Sequence, residues 1–143
     1  MKSDLTIDSI IPIIDWMVSE AKSIDLLWKR NPENPALSGR HLAFYEMTDI
    51  VHSDVIICDC DLDTFHLNFG DYDDVYRSIR LTEPVYDEPP ERTPTNDDIR
   101  YMIARLYEAC ENAEKKYKDT SDAFHEARAK AFQELRERLL ETN

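Results

Sequence analysis

At 143 residues, with 42% apolar and 33% charged side chains, the chain has room for one domain with its own core, and its spread of Ile, Leu, Trp, Tyr and Phe argues against global disorder. Its 17 Lys and Arg face 30 Asp and Glu, a formal net charge of −13 that disfavours direct nucleic-acid contact and binding to an anionic membrane surface. No secretory leader or apolar run near the roughly 18 residues of a membrane span is visible, and an odd count of three cysteines (Cys58, Cys60, Cys110) points to free thiols in a reducing cytoplasm.

Only two glycines occur, Gly39 and Gly70, so long helices with few turns are expected, punctuated by seven prolines. The first helix is predicted to start near Asp8 or Ser9, with Pro12 in its first turn and Ile10, Ile14, Met17, Ala21, Ile24 and Trp28 on one face. Ile11, Val18 and Leu27 would widen that face, and Asn31-Pro32-Glu33-Asn34-Pro35 would end the helix. A second helix beginning near Leu37 or Ser38 would align Leu37, Phe44, Val51 and Cys58, with Met47, Ile50 and Val55 alongside.

The end of this helix is ambiguous in sequence. Val55-Ile56-Ile57 is β-branched and residues 65–70 alternate apolar and polar, so a small β-hairpin over 54–69 competes with a helix through Cys58, and the helix is preferred. A short helix is predicted over 71–80, and the four prolines of 81–95 mark an extended linker. The third helical segment should be capped by Thr95 or Asn96 and should bury Ile99, Ile103, Leu106, Cys110, Ala113 and Tyr117. Phe124, Phe132, Leu135 and Leu139 continue an apolar face. Lys118-Asp119-Thr120-Ser121-Asp122 is poor helix material, yet Thr120 keeps the helical phase, so one long helix over 96–142 is narrowly preferred to a hairpin of two. The fold expected is thus mainly helical: an acidic unit over 1–80, a linker over 81–95, and a long helix or helical hairpin over 96–143 packing with the first unit as one domain.

Charge is distributed unevenly. Residues 1–95 carry 8 basic and 19 acidic side chains, net −11, whereas residues 96–143 carry 9 and 11, net −2. Between His41 and Tyr76 lie Glu46, Asp49, Asp54, Asp59, Asp61, Asp63, Asp71, Asp73 and Asp74 without one Lys or Arg. Uncompensated like charge destabilises a compact state, so this run predicts a non-enzymatic module that engages a basic protein partner, in the manner of inhibitors, immunity proteins, antitoxins or DNA mimics. If 96–142 is one helix, Phe124, Phe132, Leu135 and Leu139 outrun the globular body, and a two-fold dimer is expected to cover them.

Competing chemistry is weaker. Alternate aspartates from Asp59 resemble the start of a calcium loop, but Thr64 and Gly70 stand where that loop needs Gly and Glu. Cys58, Cys60, His66 and Cys110 lack the paired spacings of a zinc site. Glu46-x-x-Asp49, Asp71-x-x-Asp74 and Glu108-x-x-Glu111 resemble in composition the metal-holding pairs of all-α nucleotide hydrolases, though their order is reversed, and Glu46, Asp49, Glu108 and Glu111 would form the site of this alternative. Ser38 to Glu46 reads as a helix start that packs Leu42, Phe44 and Tyr45, in preference to an anion site. No nucleophile motif, phosphate loop or cofactor signature stands out, and no cofactor or metal is expected.

Overall fold

The computed structural model describes residues 6–67 and 93–141. Four helices account for most of them: α1 (Ile7–Arg30), α2 (Pro35–Ile57), α3 (Asn96–Asp119) and α4 (Ala123–Glu141), with a 3₁₀ turn at Asp63–Phe65. The fold is all-α, and no β-strand occurs among the described residues. The predicted short helix over 71–80 and most of the linker lie outside the described residues.

Helix α1 is capped by Thr6, two residues before Asp8 and three before Ser9, the predicted caps, and the Thr6 backbone N–H donates to Ser9 Oγ at 3.2 Å. Pro12 therefore sits in the second turn, not the first, and leaves the Asp8 carbonyl without its intrahelical donor. The predicted face is buried from Ile10 to Ile24, joined by Ile13 and Val18. Leu27 is a correction, being about half exposed. Trp28 is half-buried, with its ring stacked on His41 at 4.2 Å and Nε1 donating to Ser38 Oγ at 3.2 Å.

Asn34 caps α2, accepting from the Ala36 and Leu37 amides, with Pro35 in the first turn as helix geometry allows. The helix continues through the β-branched run to Ile57, so burial of Val51 and Val55 against the other helices overrides strand propensity. Residues 54–57 are helical and 63–65 form a 3₁₀ turn, which replaces the hairpin alternative over the described part of 54–69.

The chain turns after Asp119, so the narrowly preferred long helix is corrected to two antiparallel ones. The side chains of the weak segment satisfy backbone groups that a continuous helix would use. Ser121 Oγ donates to the Tyr117 carbonyl at 3.1 Å, and Asp122 Oδ1 accepts from the His125 amide at 2.8 Å. Helix α4 folds back along α3 and packs most extensively on α2, which α1 also packs against. Phe132, Leu135 and Leu139 thereby join Phe44, Met47 and Leu106 in the core, each almost completely buried within one chain. Phe124 is half-buried, with its backbone carbonyl against Gly39. The sequence-level reason for a dimer through these four side chains is therefore removed.

Candidate functional site

Helix α2 ends in a Schellman motif built without glycine. Asp59 takes the left-handed conformation (φ 56°), its amide donates to the Ile56 carbonyl at 3.0 Å, and the Cys60 amide donates to the Val55 carbonyl at 3.0 Å. Val55 and Cys60 are both buried, supplying the apolar contact that accompanies this cap. The chain then alternates. Cys60, Leu62, Phe65 and Leu67 point into the core, while Asp59 and Asp63 are exposed and Asp61 is half-buried. Asp61 Oδ1 accepts from the Asp63 amide at 3.2 Å, and His66, also left-handed (φ 59°), lies 2.8 Å from Asp15 of α1 through Nδ1. The loop is thus pinned from beneath and presents carboxylates outward. It follows the negative end of α2's dipole, whose last turn holds no basic residue, so its charge is opposed by the fold itself.

The other predicted acidic residues divide. Glu46 is held by Arg128 of α4 in a bidentate pair, with both contacts at 2.7 Å. Asp54 is fully buried and meets Arg105 of α3, whose Nε lies 3.2 Å from Oδ2 and 3.1 Å from Oδ1. Burial raises the Asp54 carboxyl above its ordinary range against the pull of Arg105. These two residues tie the acidic unit to the C-terminal helices and leave the proposed surface, a correction to the acidic run as a single uncompensated patch. Asp49 is half-buried near His52, whose imidazole is lowered by burial while the Asp49 charge opposes that shift. Asp71, Asp73 and Asp74 lie outside the described residues. Asp15 joins the acidic loop through His66, a proximity no local sequence pattern announces.

Glu46 being engaged, the four carboxylates of the hydrolase alternative do not form a cage, and Glu108 and Glu111 are exposed. Among the described residues no three His, Cys, Asp or Glu side chains are grouped to hold a metal ion. Cys110 is buried, donates to the Phe132 carbonyl at 3.2 Å, and has its thiol pushed up to about 12 by desolvation, so it stays protonated and unreactive. Sequence reasoning missed a polar knot at the α1–α2 corner, where the buried Asp25 meets His41 Nε2 at 3.1 Å and Lys29 Nζ at 2.9 Å. Asp25 sits beside Ile24 on the apolar face, and nothing in the spacing marks it.

No helix among the described residues is long and apolar enough to cross a membrane. No family model, curated protein or solved structure matches the chain.

Proposed function

We propose that the chain is a binding module whose acidic loop, Asp59, Asp61 and Asp63 with Asp15 beside it, engages a basic protein partner. The observation that supports this reading is the placement of three aspartates just beyond the negative end of α2, on a loop whose alternate residues are anchored in the core. Such a loop is costly in isolation and becomes favourable against clustered Lys and Arg. Anchoring also reduces the ordering entropy that a flexible acidic tail would lose on binding.

The loop would act chiefly on association rate, since complementary potentials steer encounter. The test is affinity capture from the cell of origin with the wild-type chain and an Asp59→Asn, Asp61→Asn, Asp63→Asn variant. A stoichiometric basic protein should be retained by the wild type at low salt and lost from the variant. Equal retention by both overturns the assignment of the loop.

A further inference from the structure

Helices α2 and α3 run antiparallel where they meet: Lys116 borders the same groove as Leu42 and Glu46, and further along the seam Arg105 reaches Asp54. One turn beyond that ion pair, Ile57 of α2 and Tyr101 of α3 therefore arrive at the same end of the seam. With about 100° between successive helical residues, Ile57 lies about 60° round α2 from Asp54, and Tyr101 about 40° round α3 from Arg105. Both are exposed, Ile57 by 67% and Tyr101 by 45%. Singly exposed apolar side chains are ordinary, but two from different helices at one end of a seam make a patch. Its rim is acidic. Asp59 follows Ile57 by two residues, and Asp97 precedes Tyr101 by one turn on the same stripe of α3, both exposed. The nearest cation, Arg105, is engaged by the buried Asp54 and lies 5.9 Å from the Tyr101 ring centroid. Arg100 is turned about 100° from Tyr101 in the sense opposite to Arg105, away from α2.

We propose that Ile57 and Tyr101 are the apolar anchor of the partner surface, and that the partner presents a basic segment carrying one large apolar side chain. That side chain packs on Ile57 and Tyr101, while flanking Lys or Arg residues reach Asp59 and Asp97. The inference rests on the reading of the acidic loop as a binding surface and adds what its partner must carry. Charge selects this occupant. A wholly apolar partner would strip water from Asp59 and Asp97 without replacing it. Anionic lipid or nucleic acid would meet them as like charge, and two copies joined here would bring the same carboxylates together. A basic segment with an apolar centre pairs the rim and covers the middle, where aromatic and aliphatic anchors carry most of the energy of an interface.

Two capped peptides serve as probes, four lysines around one phenylalanine and four lysines around one serine, titrated into the full chain at low salt and followed by backbone amide NMR. The phenylalanine peptide should bind about tenfold more tightly than its serine counterpart, as burial of one large apolar side chain predicts. Its largest shifts should fall around Ile57 and Tyr101. An Ile57→Ala, Tyr101→Ala chain, with helicity unchanged by circular dichroism, should lose that preference and keep its affinity for the serine peptide. The Asp59→Asn, Asp61→Asn, Asp63→Asn chain tests the loop separately, because it should lose affinity for both peptides alike. Equal binding of the two peptides by the wild type overturns the anchor and leaves the loop reading standing, as does a preference that survives the double alanine change. A triple variant that binds both peptides like the wild type overturns the loop reading, and binding of neither peptide by the wild type overturns both. A sedimentation mass that doubles in the wild type and not in the double alanine variant would assign the patch to a second copy and overturn the proposal.

Discussion

Asp59 does at the end of α2 what glycine usually does, and the substitution has a cost. Its Cβ must tolerate the left-handed region, where an L-residue loses about 1–2 kcal/mol relative to a right-handed conformation. Asp59→Gly removes that strain and also removes a negative charge from the negative end of the helix. It should raise unfolding stability by about 1 kcal/mol in urea titration, and a loss of stability would show that the carboxylate has a structural partner. His52 gives a second residue-scale test through pH. Burial lowers its folded-state pKa below the ordinary 6.5, so the unfolded chain takes up a proton where the folded one does not. Its contribution to stability is therefore complete above 6.5 and is lost as pH falls through the lower folded value. His52→Gln should flatten the fall in stability between pH 6.5 and that lower value in urea midpoints. Asp54 acts with the opposite sign: its raised pKa means that its contribution declines as pH rises from the ordinary carboxylate range through the folded value.

At the scale of elements, a close contact between α2 and the start of α4 depends on one missing side chain. A Cβ on Gly39 would lie 2.1 Å from the Phe124 carbonyl oxygen, a backbone atom that cannot rotate away. Gly39→Ala gains about 1 kcal/mol in helix propensity yet forces α2 and α4 apart, an overpacking cost of about 1–3 kcal/mol or more. The clash should win, giving a lower thermal midpoint, and a higher one would mean that the helices are not in contact there. In the sequence Gly39 looks like part of a helix start, because its neighbour lies 85 positions away and local spacing carries no trace of it. The helical stripes of α1 and α3 were legible for the opposite reason: burial on one face repeats every turn, so Ile10, Ile14, Met17 and Ile99, Ile103, Leu106 announce themselves. Alternation over 65–67 was real but belongs to a pinned loop, since inward and outward positions alternate in any extended segment over a core. Thr120 kept helical phase by accident, and the capping chemistry of Ser121 and Asp122 decided the turn. Of the acidic run, only the composition could be read locally. Which carboxylates are internally paired depends on Arg105 and Arg128, which lie more than 50 residues further along.

For the whole molecule the governing quantity is a net charge of −13 held within one small fold. Two forces with different ranges compete. Short pairs compete with repulsion: Arg128–Glu46 at 2.7 Å and Arg40–Glu134 at 2.6 Å tie α2 to α4, Arg40–Glu20 at 3.0 Å ties α2 to α1, and the partial burial of the Arg128–Glu46 pair shields it from salt. Repulsion among the exposed aspartates acts over longer distances, and is largely screened beyond a Debye length of about 10 Å at 0.1 M salt. Added sodium chloride should therefore weaken the repulsion more than the pairs, and the thermal midpoint should rise with ionic strength. The Asp59→Asn, Asp61→Asn, Asp63→Asn chain should start higher at low salt and rise less, because part of the repulsion is already gone. Asparagine keeps the side-chain oxygen that Asp61 offers to the Asp63 amide, so loop geometry is preserved and the comparison reads charge alone. Differential scanning calorimetry of both chains across a salt series measures the two slopes. A wild-type midpoint that falls with salt would mean that ion pairs outweigh repulsion, and the acidic loop would then lose the energetic reason for seeking a basic partner.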